Sequence, residues 1–310
     1  MSFHNYQPYH QGARRADVGL DAVIMKAALA RTLAAATLAA FGMSAAAAQT
    51  PDAPERTALK VCQDPNNLPF SNSSGEGFED KIAQVFGHDL GLPVSYYGFP
   101  NRMNFIRNTL RFKLPTDDYP CDIVMGVPAG FDQVSVTKPY YRSTYALVYP
   151  KGKGLDAIRS SDDLLALPRD KLATLRIGLY DRSPASQWLA RHDLVDRGVP
   201  YPMMNADPAQ YPGQLIERDL EQGKIDAAIV WGPIAGFFAR RVHTPELVVV
   251  PMKSEPGLAF DFAMAMGVRY GEPAWKQQVE ALLVKHQAEI QAILRDYGVP
   301  LLDIAASAPQ

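Results

Sequence analysis

From residue 59 onward the chain alternates between two hydrophobic rhythms. Residues 59–64 (LKVCQD) form a short apolar run of strand type. A helical stretch follows, with Phe78, Ile82, Val85, Phe86 and Leu90 on one face, stopped by Gly91 and Pro93. Next come a strand at 94–99 (VSYYGF), a helix with Met103, Ile106 and Leu110 on one side, and a strand at 121–127 (CDIVMGV). The strand YALVYP (145–150) leads into a Gly/Lys connector, KGKGLD. The order then restarts with a strand at 175–180 (LRIGLY), helices predicted over 184–198 and 213–223, and a strand at 224–232 (KIDAAIVWG). After the strands LVVVPM and FAMAMGV, one long closing helix is predicted. Its stripe is Trp275, Val279, Leu282, Leu283, Ile290, Ile293, Leu294 and Tyr297, and Gly298-Val299-Pro300 ends it.

Alternating strands and helices with apolar strands predict α/β lobes on mostly parallel sheets. The two halves also echo one another. LKVCQDPN resembles LRIGLYDRSPAS, and CDIVMGVP resembles IDAAIVWGP, each giving a strand and then an abrupt Gly/Pro/Asp loop. In open α/β sheets ligands collect beyond the carboxyl ends of the strands, so two such lobes face each other across a cleft.

The first 50 residues do not belong to this pattern. From Met25, a basic start (Lys26, Arg31), an Ala/Leu-rich run and small residues up to Ala48 read as a secretory signal. Cleavage near Ala48 is expected, with residues 1–48 lost as signal and upstream extension, and no other stretch could span a membrane. Beyond residue 48, 27 basic and 31 acidic side chains remain, so the formal charge moves from −2 to −4. That balance offers no electrostatic basis for nucleic acid or anionic lipid. The two cysteines, Cys62 and Cys121, read as a disulfide in an oxidising compartment, the alternative being two buried thiols in adjacent strands.

The strings VCQDPNNLPFSN, FIRNTL, CDIVMGVPAGFD and KPYYRSTY resemble a branch of the type II periplasmic solute-binding proteins associated with quinoprotein dehydrogenases. That branch includes the J proteins of methanol oxidation, of MoxJ and XoxJ type. The resemblance runs from about Leu59 to Leu302. It implies two α/β lobes joined by two crossing segments, near 142–149 and 252–261. Residues 49–147 and 253–310 would form lobe 1, and 148–252 lobe 2. It also implies a periplasmic setting beside a pyrroloquinoline quinone (PQQ)-dependent alcohol or methanol dehydrogenase and its cytochrome c, with the chain acting as a monomeric accessory.

The chain departs from the amino-acid-binding relatives at two places. They carry an arginine after the strand matching CDIVMG, where its planar fork clamps a carboxylate; here the loop reads VPAGFDQ. The aspartate that usually takes the ligand's ammonium falls at about Trp231-Gly232. An ordinary amino-acid carrier is not expected.

Candidate cleft residues follow from the loops. Asp64, Asn66 and Asn67, with Phe70 as an apolar wall, form either one lip of the cleft or a turn capped by its own side chains. Phe131 is a large ring in a Gly/Pro loop. Of Tyr140 and Tyr141, one is expected to pack and the other to face the cleft with Arg142. Trp231 ends the inner strand of lobe 2, either in the cleft mouth or in the core. Arg102 and Arg107 lie off their helix's apolar face.

No catalytic motif is present: neither G-x-S-x-G, nor H-E-x-x-H, nor a phosphate loop. His88, His192, His243 and His286 are widely spaced on charged segments, so neither an enzyme, a metal nor a cofactor is expected. Two functions remain open. One is a dehydrogenase accessory; the other is a solute receptor of an ABC transporter.

Overall fold

The computed structural model describes residues 56–100, 104–203 and 210–304. The signal segment, Arg102 and Met103 lie outside them. In chain order the elements are β1 (Leu59–Gln63), β2 (Asn66–Asn67), β3 (Ser71–Asn72), α1 (Phe78–Leu90), β4 (Val94–Gly98), α2 (Phe105–Asn108), β5 (Ile123–Pro128), β6 (Ser135–Val136) and β7 (Tyr141–Pro150). They continue with α3 (Ser161–Leu165), α4 (Arg169–Leu172), β8 (Ile177–Tyr180), α5 (Pro184–Arg191), β9 (Gly198–Tyr201), β10 (Ala227–Trp231), α6 (Gly232–Arg241) and β11 (Leu247–Pro251). The last are β12 (Asp261–Val268), α7 (Pro273–Lys285), α8 (Gln287–Asp296) and β13 (Leu301–Leu302).

The strands run in the order β4-β1-β5-β12-β7-β10-β8-β9. β1 pairs in parallel with β4 and β5, and β8 pairs in parallel with β9 and β10. β7 belongs to both lobes: Tyr141–Thr144 pair with β12, and Tyr145–Val148 pair with β10. The second passage, after β11, is bonded to the first, because Met252 N and Thr144 Oγ1 donate to Tyr145 O and Met252 O at 2.8 and 2.6 Å.

Each sheet is covered on both faces, and the period of two decides which side chain goes where. Along β5, Ile123 and Met125 enter the core under α1 and α7 while Val124 joins Cys62, Phe105, Ile106 and Leu110 on the opposite face. The irregular pairing with β12 between Ala265 and Gly267 breaks the alternation, and Val127 joins Val124's face. Along β10, Ala227 and Ile229 face the α5 side, while Ala228 and Val230 face α6.

Four departures from the predicted elements have local causes. The helix predicted over 184–198 ends at Arg191, since Asp193 turns left-handed (φ 56°), and the chain re-emerges as β9. The segment 213–223 forms a wide π turn at Leu215–Leu220. The closing helix divides at His286, whose ψ of 16° is non-helical, although His286 N and Ile290 N keep the ladder bonded at 2.9 Å on either side. α6 was not anticipated; its Gly232-Pro233 start places proline in the first turn, where its missing N–H costs nothing.

Cys62 and Cys121 are joined, with α-carbons 5.2 Å apart, as β1 and β5 lie side by side.

Candidate cleft between the lobes

A cavity of about 330 Å³ opens between the lobes. Lobe 1 contributes Asp64, Asn66, Asn67 and Phe70 from the loop after β1, Glu79 from the first turn of α1, and Gly126 and Pro128 from the end of β5. Lobe 2 contributes Tyr180 and Tyr201 from the ends of β8 and β9, Tyr211 beyond them, and Trp231 from β10. Tyr145 and Phe262 come from the crossing strands. The strand ends therefore converge as the α/β geometry requires.

The loop after β1 is a turn and a lip at once. Asp64 Oδ1 accepts from Asn66 N at 3.0 Å, and Ser71 Oγ donates to Asp64 O at 2.9 Å. β2 and β3 close it as a miniature hairpin. Asn66 Nδ2 donates across the cleft to Gln210 O at 3.4 Å, and Phe70 touches the apolar clusters of both lobes.

Trp231 also bridges. It packs against three clusters and lies 5.5 Å from the Tyr145 ring and 5.9 Å from that of Phe262. The hydroxyls of the lobe 2 tyrosines are tied down: Tyr180 donates to Pro212 O, Tyr201 to Asp219 at 2.8 Å, and Tyr211 to Glu217 at 2.6 Å. Their rings, with polar ends anchored, form that wall. Burial pushes all three phenols upward, Tyr211 to about 12.

Four of the expected cleft residues sit elsewhere. Tyr140 is buried, donating to Met125 O at 2.9 Å, and Tyr141 is fully buried against it with rings 4.9 Å apart. One of the two was expected to face the cleft; instead both enter the same lobe 1 core, Tyr140 from just before β7 and Tyr141 from its first residue. Arg142 is committed to Asp261, its Nε 2.8 Å from Oδ2, which locks the two crossings together. Phe131 does not line the cavity; following Gly130 (φ 84°), it packs on the cluster that holds Val127 and Val134.

Glu79 was missed. It follows Phe78 in the first turn of α1, half-buried, with its carboxylate directly over Gly126: a β-carbon there would lie 2.3 Å from Glu79 Oε1. Burial, reinforced by the negative charges of Asp80 and Asp64, pushes its carboxyl up to about 8. Asp80, one residue on, is engaged differently, accepting from Gly77 N at 3.0 Å and Asn72 N at 3.1 Å at the helix start. The sequence signal for Glu79 is the Gly77-Phe78-Glu79 string that opens α1.

No described residue lining the cavity is Lys, Arg or His. Among the described residues, no group of three or more His, Cys, Asp or Glu could hold a metal, and no helix is long and apolar enough to cross a membrane. Two α/β lobes, two crossings and a cleft between them define a periplasmic binding protein fold. Comparison with known proteins makes the class particular. The chain is 36% identical to the periplasmic binding protein XoxJ from Methylobacterium extorquens AM1, covering 79% of this chain and 100% of that one, with a TM-score of 0.63. It is 27% identical to Protein MoxJ of Paracoccus denitrificans over 84% of this chain and 95% of the relative. MxaJ from Methlophaga aminisulfidivorans MPT shares the fold at 24% identity and a TM-score of 0.65, over 79% of this chain and 100% of that one. No protein-family model matches the chain. The chain belongs to the XoxJ/MoxJ family of periplasmic binding proteins.

Proposed function

We propose that this protein is a periplasmic accessory of a PQQ-dependent alcohol (methanol) dehydrogenase system, exported after cleavage near Ala48, which binds the dehydrogenase and assists its maturation or activation without turning over substrate. Lobe 1 would comprise 49–147 and 253–310, and lobe 2 148–252. The dehydrogenase is the principal partner and its cytochrome c a second. The observation that carries this reading is the identity to XoxJ across the whole of that chain. The cleft supports it: where amino-acid receptors place a basic clamp, this one has Pro128 and aromatic rings. Asp64, Asn66, Asn67, Phe70 and Trp231 are the proposed contact residues.

A solute receptor of an ABC transporter is the second reading, favoured by the volume of the cavity, which suits a small molecule. The experiment that separates them is a deletion strain. Loss of dehydrogenase activity with solute uptake intact is expected; normal activity with one uptake route lost would transfer the case to the receptor. With purified partners, Trp231→Ala should weaken the complex by about 1–2 kcal/mol, as for a buried aromatic anchor. Lys151→Ala, exposed and paired with Glu246 at 2.8 Å, should change it by under about 0.5 kcal/mol. Equal effects of the two substitutions would remove the cleft from the interface.

A further inference from the structure

Glu79 is a carboxyl group in an unusual position. It sits in the first turn of α1, lines the interlobe cavity, and has no hydrogen-bond or ion-pair partner among the described residues. The described charges acting on it are Asp80 on its own helix and Asp64 from the loop after β1. From β7 and the residue before it, Tyr141 and Tyr140 face it, as phenols held neutral by burial. Every one of these groups is an acid. Among the described residues no Lys, Arg or His lines the cavity beside it, so no described cation offsets the charges of Asp80 and Asp64.

The neighbouring cavity wall is aromatic. Phe70, Tyr145, Trp231 and Phe262 all line it, and the last three pack ring to ring. Aromatic faces carry negative quadrupole density and attract a desolvated cation, most strongly on indole. Gly126 completes the arrangement, since only a residue without a β-carbon leaves room for the Glu79 carboxyl where it lies.

We propose that the cavity is a binding site for a small organic cation of alkylammonium type, held over Trp231 and the adjoining rings with the Glu79 carboxylate as its counter-ion. The inference concerns a different ligand from the dehydrogenase reading but shares Phe70 and Trp231 with its proposed contacts, and the choline titration tests it without the dehydrogenase present. An anionic guest such as a polycarboxylate is disfavoured by the same acids. The raised titration of Glu79 fits the site physically: empty, the cavity keeps a proton on this carboxyl at neutral pH, and a bound cation displaces that proton into solvent. Binding therefore exchanges one positive charge for another.

The test uses choline and its neutral carbon isostere 3,3-dimethylbutan-1-ol, titrated calorimetrically into the full mature protein in two buffers of different ionisation enthalpy. Choline is expected to bind at least about tenfold more tightly than the alcohol. Near neutral pH it should release close to one proton, and its affinity should rise toward about tenfold per pH unit below the Glu79 titration. Glu79→Gln should weaken choline at least about tenfold and abolish its pH dependence, while leaving the alcohol unaffected. Gly126→Ala, which pushes aside only the flexible end of Glu79, should reproduce the loss in a protein with an unchanged unfolding midpoint. Alcohol binding as tight as choline, choline binding without proton release, or no choline binding at millimolar concentration would each overturn the proposal.

Discussion

Replacing both cysteines with alanine is expected to destabilise lobe 1 by about 4 kcal/mol. The bond spans a sequence separation of 59 residues, so breaking it releases a long closed loop in the unfolded chain, and loop-closure entropy at that length gives this magnitude. In the folded state it fastens β1 to the segment entering β5, beneath Phe105, Ile106 and Leu110. A two-lobed chain can unfold in more than one step, so the shift should be read from the transition that reports Trp275, buried in lobe 1, rather than Trp188 in lobe 2. Urea unfolding should show a lower midpoint for the Cys62→Ala/Cys121→Ala protein, and the wild type in reducing agent should approach the same value. Oxidised, unfolded wild type should present no titratable thiol. A shift below about 1 kcal/mol would show that residual structure in the unfolded chain already holds the two ends together.

Residues that met only one physical demand were legible in advance. The alternation along β1, β5 and β10 is set by a sheet covered on both faces, and that rhythm is written directly in the apolar positions. The pairing of Cys62 with Cys121 followed from compartment and number. What was not legible were residues answering two demands. Tyr140, Tyr141 and Arg142 sit at a crossing, where a strand leaves one lobe for the other; the sequence shows polar tips, and burial against Met125 and Asp261 emerges only when the chain returns. The path of the chain from Pro128, which lines the cavity, to Phe131, which does not, passes through the left-handed Gly130, a backbone property that a motif does not reveal.

Glu79 illustrates the same limit from the other side. In sequence it is an acid in the first turn of a helix, where the dipole welcomes negative charge and where Asp80 lies beside it. One of the two caps the helix and the other does not. Their division of labour is fixed by the Asn72 and Gly77 amides, which both turn toward Asp80 and leave Glu79 over Gly126. The most informative residue of the cleft was thus hidden behind an ordinary helix start.

Glu79 also governs how stability should depend on pH in the absence of ligand. Burial and the charges of Asp80 and Asp64 push its carboxyl up to about 8 in the folded state, from an ordinary 4.5. Between those values the folded state holds a proton that the unfolded chain has lost, so stability falls as pH rises from about 4.5 to about 8 and is flat beyond. The full interval corresponds to about 5 kcal/mol. Water reaching the cavity screens the charge, so the measurable loss should be roughly 2 kcal/mol. Asp219 works in the opposite sense at the acid end. Hydrogen bonds from Arg218, Tyr201 and Lys224 pull its carboxyl down to about 2, from an ordinary 3.8, so its contribution is present above about 4 and lost as pH falls toward 2. Urea midpoints should therefore be highest near pH 4–5 and decline toward pH 9. In Glu79→Gln the alkaline decline should be largely absent, leaving the variant more stable than wild type at pH 9. The same variant at pH 5, where the wild-type carboxyl is itself neutral, should differ little. Parallel declines in the two proteins would mean that Glu79 is charged and compensated in the folded state, and that the cavity holds no proton for a cation to displace.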